Sequence, residues 1–129
     1  MTPKALANIH KAAFPKSAWT AESFAQLLKN PTTQVLTRPN AFLIACVIPP
    51  EAEILTLAVA PEVRRTGLAA HMIEELKSQH THIFLEVRAD NRAAIQLYER
   101  SGFTLTGRRA GYYRATGQPP IDALLMAWS

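Results

Sequence analysis

The ten residues VRRTGLAAHM, 63–72, decide the fold because they mark a turn from a strand into a helix. The run before them, EAEILTLAVA (51–60), is rich in Leu, Ile and Val and stops at Pro61, as is typical of a strand. Residues 68–79 carry apolar side chains at helical spacing, namely Leu68, Met72, Ile73 and Leu76. A strand followed by an amphipathic helix predicts a mixed α/β domain.

The start of this predicted helix is a candidate anion-binding site. Free backbone N–H groups and a partial positive charge at a helix start allow a phosphate to bind there without a lysine. Gly67 and Ala69 have little or no side chain, which leaves the backbone approachable. The stretch lacks both the G-x-x-x-x-G-K-S/T loop and the G-x-G-x-x-G fingerprint. Taken by itself, it also fits an ordinary helix start preceded by two surface arginines.

Two helices and two strands are predicted ahead of this unit. Apolar spacing indicates a helix over 3–13, and Thr20 is a suitable N-cap for a second helix that ends at Asn30. The segments TQVLT (33–37) and AFLIACVI (41–48) are typical of strands joined by a tight turn.

The chain after residue 79 predicts one further strand and helix and a final pair of strands. The predicted elements are strand HIFLEV (82–87), a helix capped by Asn91 and Gly102, strands FTLTGRR (103–109) and IDALLMAW (121–128), and between these two the turn-rich loop GYYRATGQPP (111–120). HIFLEV has apolar residues on both faces, so we expect it centrally in the sheet. The predicted order is α-α-β-β-β-α-β-α-β-β.

Length and composition favour one domain spanning residues 1–129, with 48% hydrophobic residues and enough chain to bury a core. Cys46 is the single cysteine, and neither a signal peptide nor a membrane span is indicated, so we expect a cytoplasmic protein that does not bind a membrane. The net charge of +4 is spread along the chain, so most basic residues are expected to be solvated surface and nucleic-acid binding is not expected. An anionic small ligand would explain the charge equally well. The four histidines show no metal-binding spacing, so no metal site is expected.

A second motif, LEVRADNRAAIQLYERSGF (85–103), follows the first by about twenty residues. In this order the two motifs resemble the GNAT superfamily of N-acetyltransferases, and most closely the bacterial RimI type, the ribosomal-protein-alanine N-acetyltransferases. The resemblance covers residues 13–128 and is most specific over 53–128. The paired tyrosines Tyr112 and Tyr113 favour the RimI type over other acetyltransferases.

The resemblance implies the GNAT fold, an α/β fold with a single mixed sheet flanked by helices. The family usually begins with a short strand before its first helix, whereas this chain starts almost at the helix, so the first strand is expected to be abbreviated. Acetyl-CoA is the implied acetyl donor. The implied acceptor is the N-terminus of a small-subunit ribosomal protein, or another peptide. An N-terminal amine suits the reaction because roughly a tenth of such groups are already neutral near pH 7, compared with under about a thousandth of lysines.

The resemblance also implies roles for individual residues. Glu86 would be the catalytic base and Tyr98 the acid for the departing thiolate. The remaining implied contacts are Leu57 and Val59 to the acetyl and pantetheine portion through their backbones, Asn91 to the coenzyme A arm, Tyr112 and Tyr113 to the peptide, and Arg64, Arg65, Thr66, Gly67, Leu68, Ala69 and Ala70 to the pyrophosphate.

Several alternatives stay open from the residues alone. Glu86 fits a structural ion pair with Arg88 or Arg92, Tyr98 fits a core tyrosine with a bonded hydroxyl, and Asn91 fits a helix cap. For the whole chain, the alternatives are acetylation of a small amine or a lysine, a non-catalytic acyl-CoA-binding module, and acetylation of an aminoacyl-tRNA.

Overall fold

The computed structural model describes residues 1–129 and contains one six-stranded mixed sheet with helices on both faces. The helices are α1 (Pro3–Ala13), α2 (Ala21–Lys29), α3 (Leu68–Lys77) and α4 (Arg92–Arg100), and a 3-10 turn spans Pro61–Val63. The strands are β1 (Thr33–Arg38), β2 (Ala41–Ile48), β3 (Glu51–Val59), β4 (His82–Arg88), β5 (Thr104–Tyr113) and β6 (Ile121–Trp128). The predicted order of helices and strands and the predicted fold class are confirmed, and no strand precedes α1.

The strand order is β1-β2-β3-β4-β6-β5, so β4 lies inside the sheet as predicted. Every neighbouring pair is antiparallel except β3 and β4, which are parallel and are connected through α3. The prediction was wrong in one place, because the chain from Gly111 to Tyr113 is part of β5 and not of a loop. The register with β6 shifts between Arg109 and Tyr113, where Gly111 has φ +60°. This irregularity lets the edge strand continue through a stretch that resembles a turn in sequence.

Caps predicted from the sequence are present at the helix ends. Thr20 accepts a hydrogen bond from the Ser23 N–H at 3.1 Å, and Asn91 Oδ1 accepts one from the Ala94 N–H at 3.2 Å. Gly102 has φ +91°, a left-handed conformation that favours glycine after a helix. No helix is long and apolar enough to cross a membrane.

Each face of the sheet has its own core. The larger core joins α3 and α4 to one face, and its members include Met72, Ile73, Leu76, Ile83, Leu85, Val87 and Tyr98. The smaller core joins α1 and α2 to the other face through Leu6, Phe24, Phe42, Ile44 and Ala58. Side chains alternate between faces along a strand, so Glu86 on β4 points to the α1–α2 face while its neighbours Leu85 and Val87 enter the larger core.

Candidate functional site

A gap opens in the sheet because β3 and β4 pair over only part of their length. The pairing runs from Glu51 with His82 to Ile54 with Leu85, although both strands continue beyond it. On its other side, β3 changes register with β2 at the same level, which leaves Leu55 as an extra residue in a bulge. A bulge bends its strand, so β3 turns away from β4 where their pairing ends.

Backbone groups of β3 point into this gap. The Ala60 N–H donates to the Asn40 carbonyl at 2.9 Å, and bonded and non-bonded pairs alternate along antiparallel strands. Leu57 and Val59 therefore direct their N–H and C=O groups away from β2 and toward the gap. The Val59 carbonyl accepts a bond from Arg64 Nε at 3.3 Å, whereas Leu57 has no partner on β4. The orientation of these groups is compatible with the predicted backbone contacts of Leu57 and Val59 to the acetyl and pantetheine portion, which stay predictions.

The turn from β3 into α3 presents a run of free N–H groups beside the gap. Gly67 is the N-cap, with φ +81°, and Arg65 also has a positive φ of +65°. None of the N–H groups of residues 65–70 donates to a protein acceptor, and the first bonded one is that of His71, which donates to the Gly67 carbonyl. A Cβ at Gly67 would meet no atom closer than 3.9 Å, so the space over the helix start is open. These features fit an anion-binding helix start.

The side chains around the turn make contacts within the protein. The Arg64 side chain points back to the Val59 and Ala13 carbonyls, at 3.3 and 3.4 Å, and so braces β3 against α1. Its predicted place around a pyrophosphate stays a prediction. Thr66 donates its hydroxyl to the Val63 carbonyl at 2.6 Å. The apolar residues Leu68, Ala69 and Ala70 are half-buried in the first turn of α3, so their backbones are what they can offer.

Glu86 lies at the level of the gap and forms an ion pair that the sequence did not indicate. Its carboxylate is 3.1 Å from Arg109 Nη2, and its side chain is 25% exposed. The alternative pairing with Arg88 or Arg92 is not found, since Arg88 forms its ion pair with Asp90 at 3.0 Å. The Glu86 side chain is thus partly exposed to solvent, contacts a guanidinium and lies beside the gap, all on the same face of the sheet.

Glu53 is a second carboxylate at this place, and sequence reasoning missed it. Glu53 on β3 is in register with Phe84 on β4, so it neighbours Glu86 diagonally on the α1–α2 face. Burial raises its pKa, the nearby Glu86 charge raises it further, and Arg109 opposes both effects. A glutamate inside the otherwise apolar run EAEILTLAV was the available signal.

Tyr112 and Tyr113 lie beside the arginines next to Glu86. Their rings meet edge to face with centroids 5.1 Å apart. The Arg109 guanidinium lies 5.5 Å from the Tyr112 ring centroid, and Arg88 lies 5.3 Å from that of Tyr113. Burial raises the pKa of the Tyr113 phenol, and the Glu86 charge adds to this effect. The structure therefore brings both predicted tyrosines to the same face as Glu86.

Tyr98 is on the opposite side of the sheet from Glu86. Its ring is packed in the larger core next to Phe103, with ring centroids 5.7 Å apart. Burial raises its pKa to about 12, so the phenol keeps its proton at neutral pH. The Tyr98 hydroxyl has no hydrogen-bond partner in the chain. Among the fully buried side-chain nitrogen and oxygen atoms, only His80 Nδ1 lacks a partner, so the Tyr98 oxygen is not one of the fully buried atoms. The Tyr98 oxygen therefore keeps accessible surface, in contrast to the alternative of a core tyrosine with a bonded hydroxyl.

His10 is a buried polar residue behind the bulge in β3. Its Nδ1 accepts the Trp19 N–H at 3.0 Å, so the ring proton is on Nε2 and is donated to Thr56 Oγ1 at 3.2 Å. Thr56 directly follows the bulge residue Leu55. His10 therefore joins α1 and the segment before α2 to the bent part of β3. The rings around it belong to Phe14, Trp19, Phe24 and Phe42.

A parallel strand pair that separates beside an anion-binding helix start, with carboxylates on one face, defines a fold and site of the acetyltransferase class. A model of the acetyltransferase (GNAT) family matches residues 5–103, and the chain belongs to this family.

Two curated relatives and one solved structure illustrate what the chain is similar to. The chain is 42% identical over 95 residues to the ribosomal protein bS18-alanine N-acetyltransferase of Salmonella typhimurium, a match that covers 70% of this chain and 64% of that protein. The Escherichia coli K12 enzyme of the same name is 41% identical over 92 residues, covering 67% and 62%. These matches span less than two thirds of both relatives. The crystal structure of the ribosomal-protein-S18-alanine N-acetyltransferase from Escherichia coli superposes with a TM-score of 0.81 at 32% identity, covering 97% of this chain and 85% of that one.

Proposed function

We propose that this protein transfers the acetyl group of acetyl-CoA to the N-terminal α-amino group of a protein, and that its acceptor is the N-terminal alanine of ribosomal protein bS18. The observation that carries the proposal is the gap between β3 and β4, which has free N–H groups at one end and carboxylates on one face. The names of the relatives in Salmonella and Escherichia coli support the choice of acceptor.

The donor would bind along the gap. The N–H groups of residues 65–70 suit a pyrophosphate, which needs several donors that no protein acceptor already uses. The gap-facing groups of Leu57 and Val59 suit the amide-bearing arm that continues from it. Asn91 uses Oδ1 as the cap of α4, so a contact of Asn91 with the arm would come from its side-chain NH2 group.

The acceptor would approach from the α1–α2 face, where Glu86 lies between the tyrosine pair and the gap. Glu86 would take a proton from the amine, directly or through a water, as the nitrogen attacks the thioester carbonyl. The C–N bond forms and the C–S bond breaks, so the sulfur leaves with an electron pair. The amine proton ends on the carboxylate and is returned to solvent.

Tyr98 would act on the departing sulfur from the α3–α4 side. Its phenol keeps a proton at neutral pH, since burial raises its pKa to about 12. A thiol has a pKa of about 8.5, so complete transfer of that proton to a thiolate is uphill by about 5 kcal/mol. The phenol is thus effective as a hydrogen-bond donor to the sulfur while its charge develops. A base on one face and a hydrogen-bond donor on the other would place the acceptor and the leaving group on opposite sides of the gap.

Mass spectrometry of acetylated products tests the acceptor. The purified protein is incubated with acetyl-CoA and three amines: a peptide with the bS18 N-terminus, the same peptide with a blocked N-terminus and an internal lysine, and a polyamine. We expect acetylation of the N-terminal alanine alone. Acetylation of the polyamine or the lysine with an unmodified alanine would refute the proposal. Intact masses of ribosomal proteins from cells with and without the gene provide the same comparison in vivo.

Two substitutions test the assigned roles. Glu86→Gln and Tyr98→Phe should each lower turnover at least tenfold and leave the affinity for acetyl-CoA unchanged, because neither side chain lies at the anion-binding turn. Glu99→Gln, an exposed change on the same helix as Tyr98, is the matched control and should keep wild-type turnover. Unaltered turnover in either test variant removes that residue from its role.

A further inference from the structure

Arg109 is a residue of the exposed edge strand that reaches the middle of the sheet. It lies on β5, and β6 separates β5 from β4, which carries Glu86. Its register partner on β6 is Ala123, and the next position on that face of β5 is Gly107. The Leu125 side chain of β6 covers Gly107, whereas Ala123 is small and leaves room for the arginine stem to cross β6. The Arg109 guanidinium ends 3.1 Å from the Glu86 carboxylate.

The charges around Glu86 explain why this contact matters. Glu53 faces it from β3, so two carboxylates share this part of the sheet. The other groups are already satisfied or neutral. Arg88 is paired with Asp90, Asp122 on β6 binds Arg108 and the Gly111 N–H, and the phenols of Tyr112 and Tyr113 supply no positive charge. Arg109 is therefore the cation that balances the two carboxylates.

Two neighbouring carboxylates compete for one proton when no cation balances them, and their titrations become coupled. A protonated Glu86 accepts no proton from an amine. The stacking of the Arg109 guanidinium near the Tyr112 ring and its contact with Glu86 also fix where the carboxylate points.

We propose that Arg109 is a positioning residue for acetyl transfer, which balances the charges of Glu86 and Glu53 and orients the Glu86 carboxylate at the gap. The inference rests on the proposed function, in which Glu86 acts on the acceptor amine. It assigns to the edge strand β5 a direct influence on the chemistry at β4. Arg109 itself does not contact the reacting atoms.

The pH dependence of kcat/KM for an N-terminal-alanine peptide tests the proposal. In Arg109→Gln, the acid limb should move to higher pH by about one unit, while the plateau at high pH changes much less. Arg109→Lys keeps the positive charge, so its acid limb should lie close to the wild-type position. Arg108→Gln is the matched control, because Arg108 is the neighbouring arginine but pairs with Asp122, and its limb should stay at the wild-type position.

Two results would overturn the proposal. One is an equal loss of activity at every pH in Arg109→Gln with an unmoved acid limb, which indicates a merely structural role. The other is the same limb shift in Arg108→Gln, which indicates an effect of net charge. Arg109→Met preserves the stem over Ala123 and provides the same test if the glutamine variant does not fold.

A measurement without substrate separates this inference from the proposed function. Carboxyl titration by carbon-13 NMR on the free protein should place the Glu53 midpoint at higher pH in Arg109→Gln than in the wild type, because Arg109 opposes the raised pKa of Glu53. An unchanged Glu53 midpoint would contradict the role of Arg109 even in an active enzyme. A wild-type protein without activity on any peptide would refute the proposed function and leave this titration valid.

Discussion

Acidification should destabilise this protein through His10. The residue is 3% exposed, and burial lowers its pKa from 6.5 to about 4, so the folded chain holds the neutral imidazole. Between these two values the unfolded chain binds a proton that the folded chain does not bind. Stability from this source is therefore complete above pH 6.5 and is lost as the pH falls toward 4.

The size of the loss follows from the shift in the pKa of His10. One unit corresponds to about 1.36 kcal/mol, so the drop from 6.5 to about 4 is equivalent to about 3 kcal/mol. By pH 5 the free energy of unfolding should have decreased by about 2 kcal/mol from its value at pH 7. That is a large part of the 5–15 kcal/mol, roughly, that stabilises an ordinary domain. Protonation would also break the acceptor contact of Nδ1 with the Trp19 N–H.

Urea denaturation at pH 7, 6 and 5, followed by tryptophan fluorescence, measures this effect. His10→Gln offers an acceptor to Trp19 and a donor to Thr56 but does not titrate, so the decrease between pH 6.5 and 5 should largely disappear. His71→Gln, a change at an exposed histidine, is the control and should keep the wild-type slope. An identical slope in wild type and His10→Gln would refute the reasoning.

Two further predictions concern local structure. Gly67 and Gly117 have φ +81° and +76°, so Gly67→Ala and Gly117→Ala should each lower the free energy of unfolding by about 1 kcal/mol. Only Gly67→Ala should weaken acetyl-CoA binding in calorimetry. Equal affinities in the two variants would argue against an anion site at the turn that contains Gly67. Thr20→Ala removes the cap on the Ser23 N–H and should lower the free energy of unfolding, measured in urea, by about 1 kcal/mol. The control Ser17→Ala, a change at an exposed residue, should stay within about 0.5 kcal/mol of wild type. Equal stabilities of the two variants would contradict the capping role of Thr20.

The helices, strands and turns of this chain could be predicted from sequence because their signals are local. Apolar spacing, cap residues such as Thr20 and Asn91, and the prolines that end segments act within a few residues of one another. The run from Gly111 to Tyr113 was predicted as loop for the same reason, since it begins with a glycine and is followed directly by the turn-rich residues 114–120. The two motifs also indicated the family, and with it the part of the chain that carries the site.

Only the tertiary structure decided which groups meet at that site. Arg109 pairs with Glu86 because β6 lies between their strands and carries Ala123 under the arginine stem, a relation of strand order and register. Glu53 joins them because parallel pairing places it diagonally to Glu86. Arg64 contacts the nearby Val59 carbonyl and also the Ala13 carbonyl, which is 51 residues away along the chain. Sequence patterns determine the backbone of each element, whereas charges find partners through the packing of elements that are far apart along the chain.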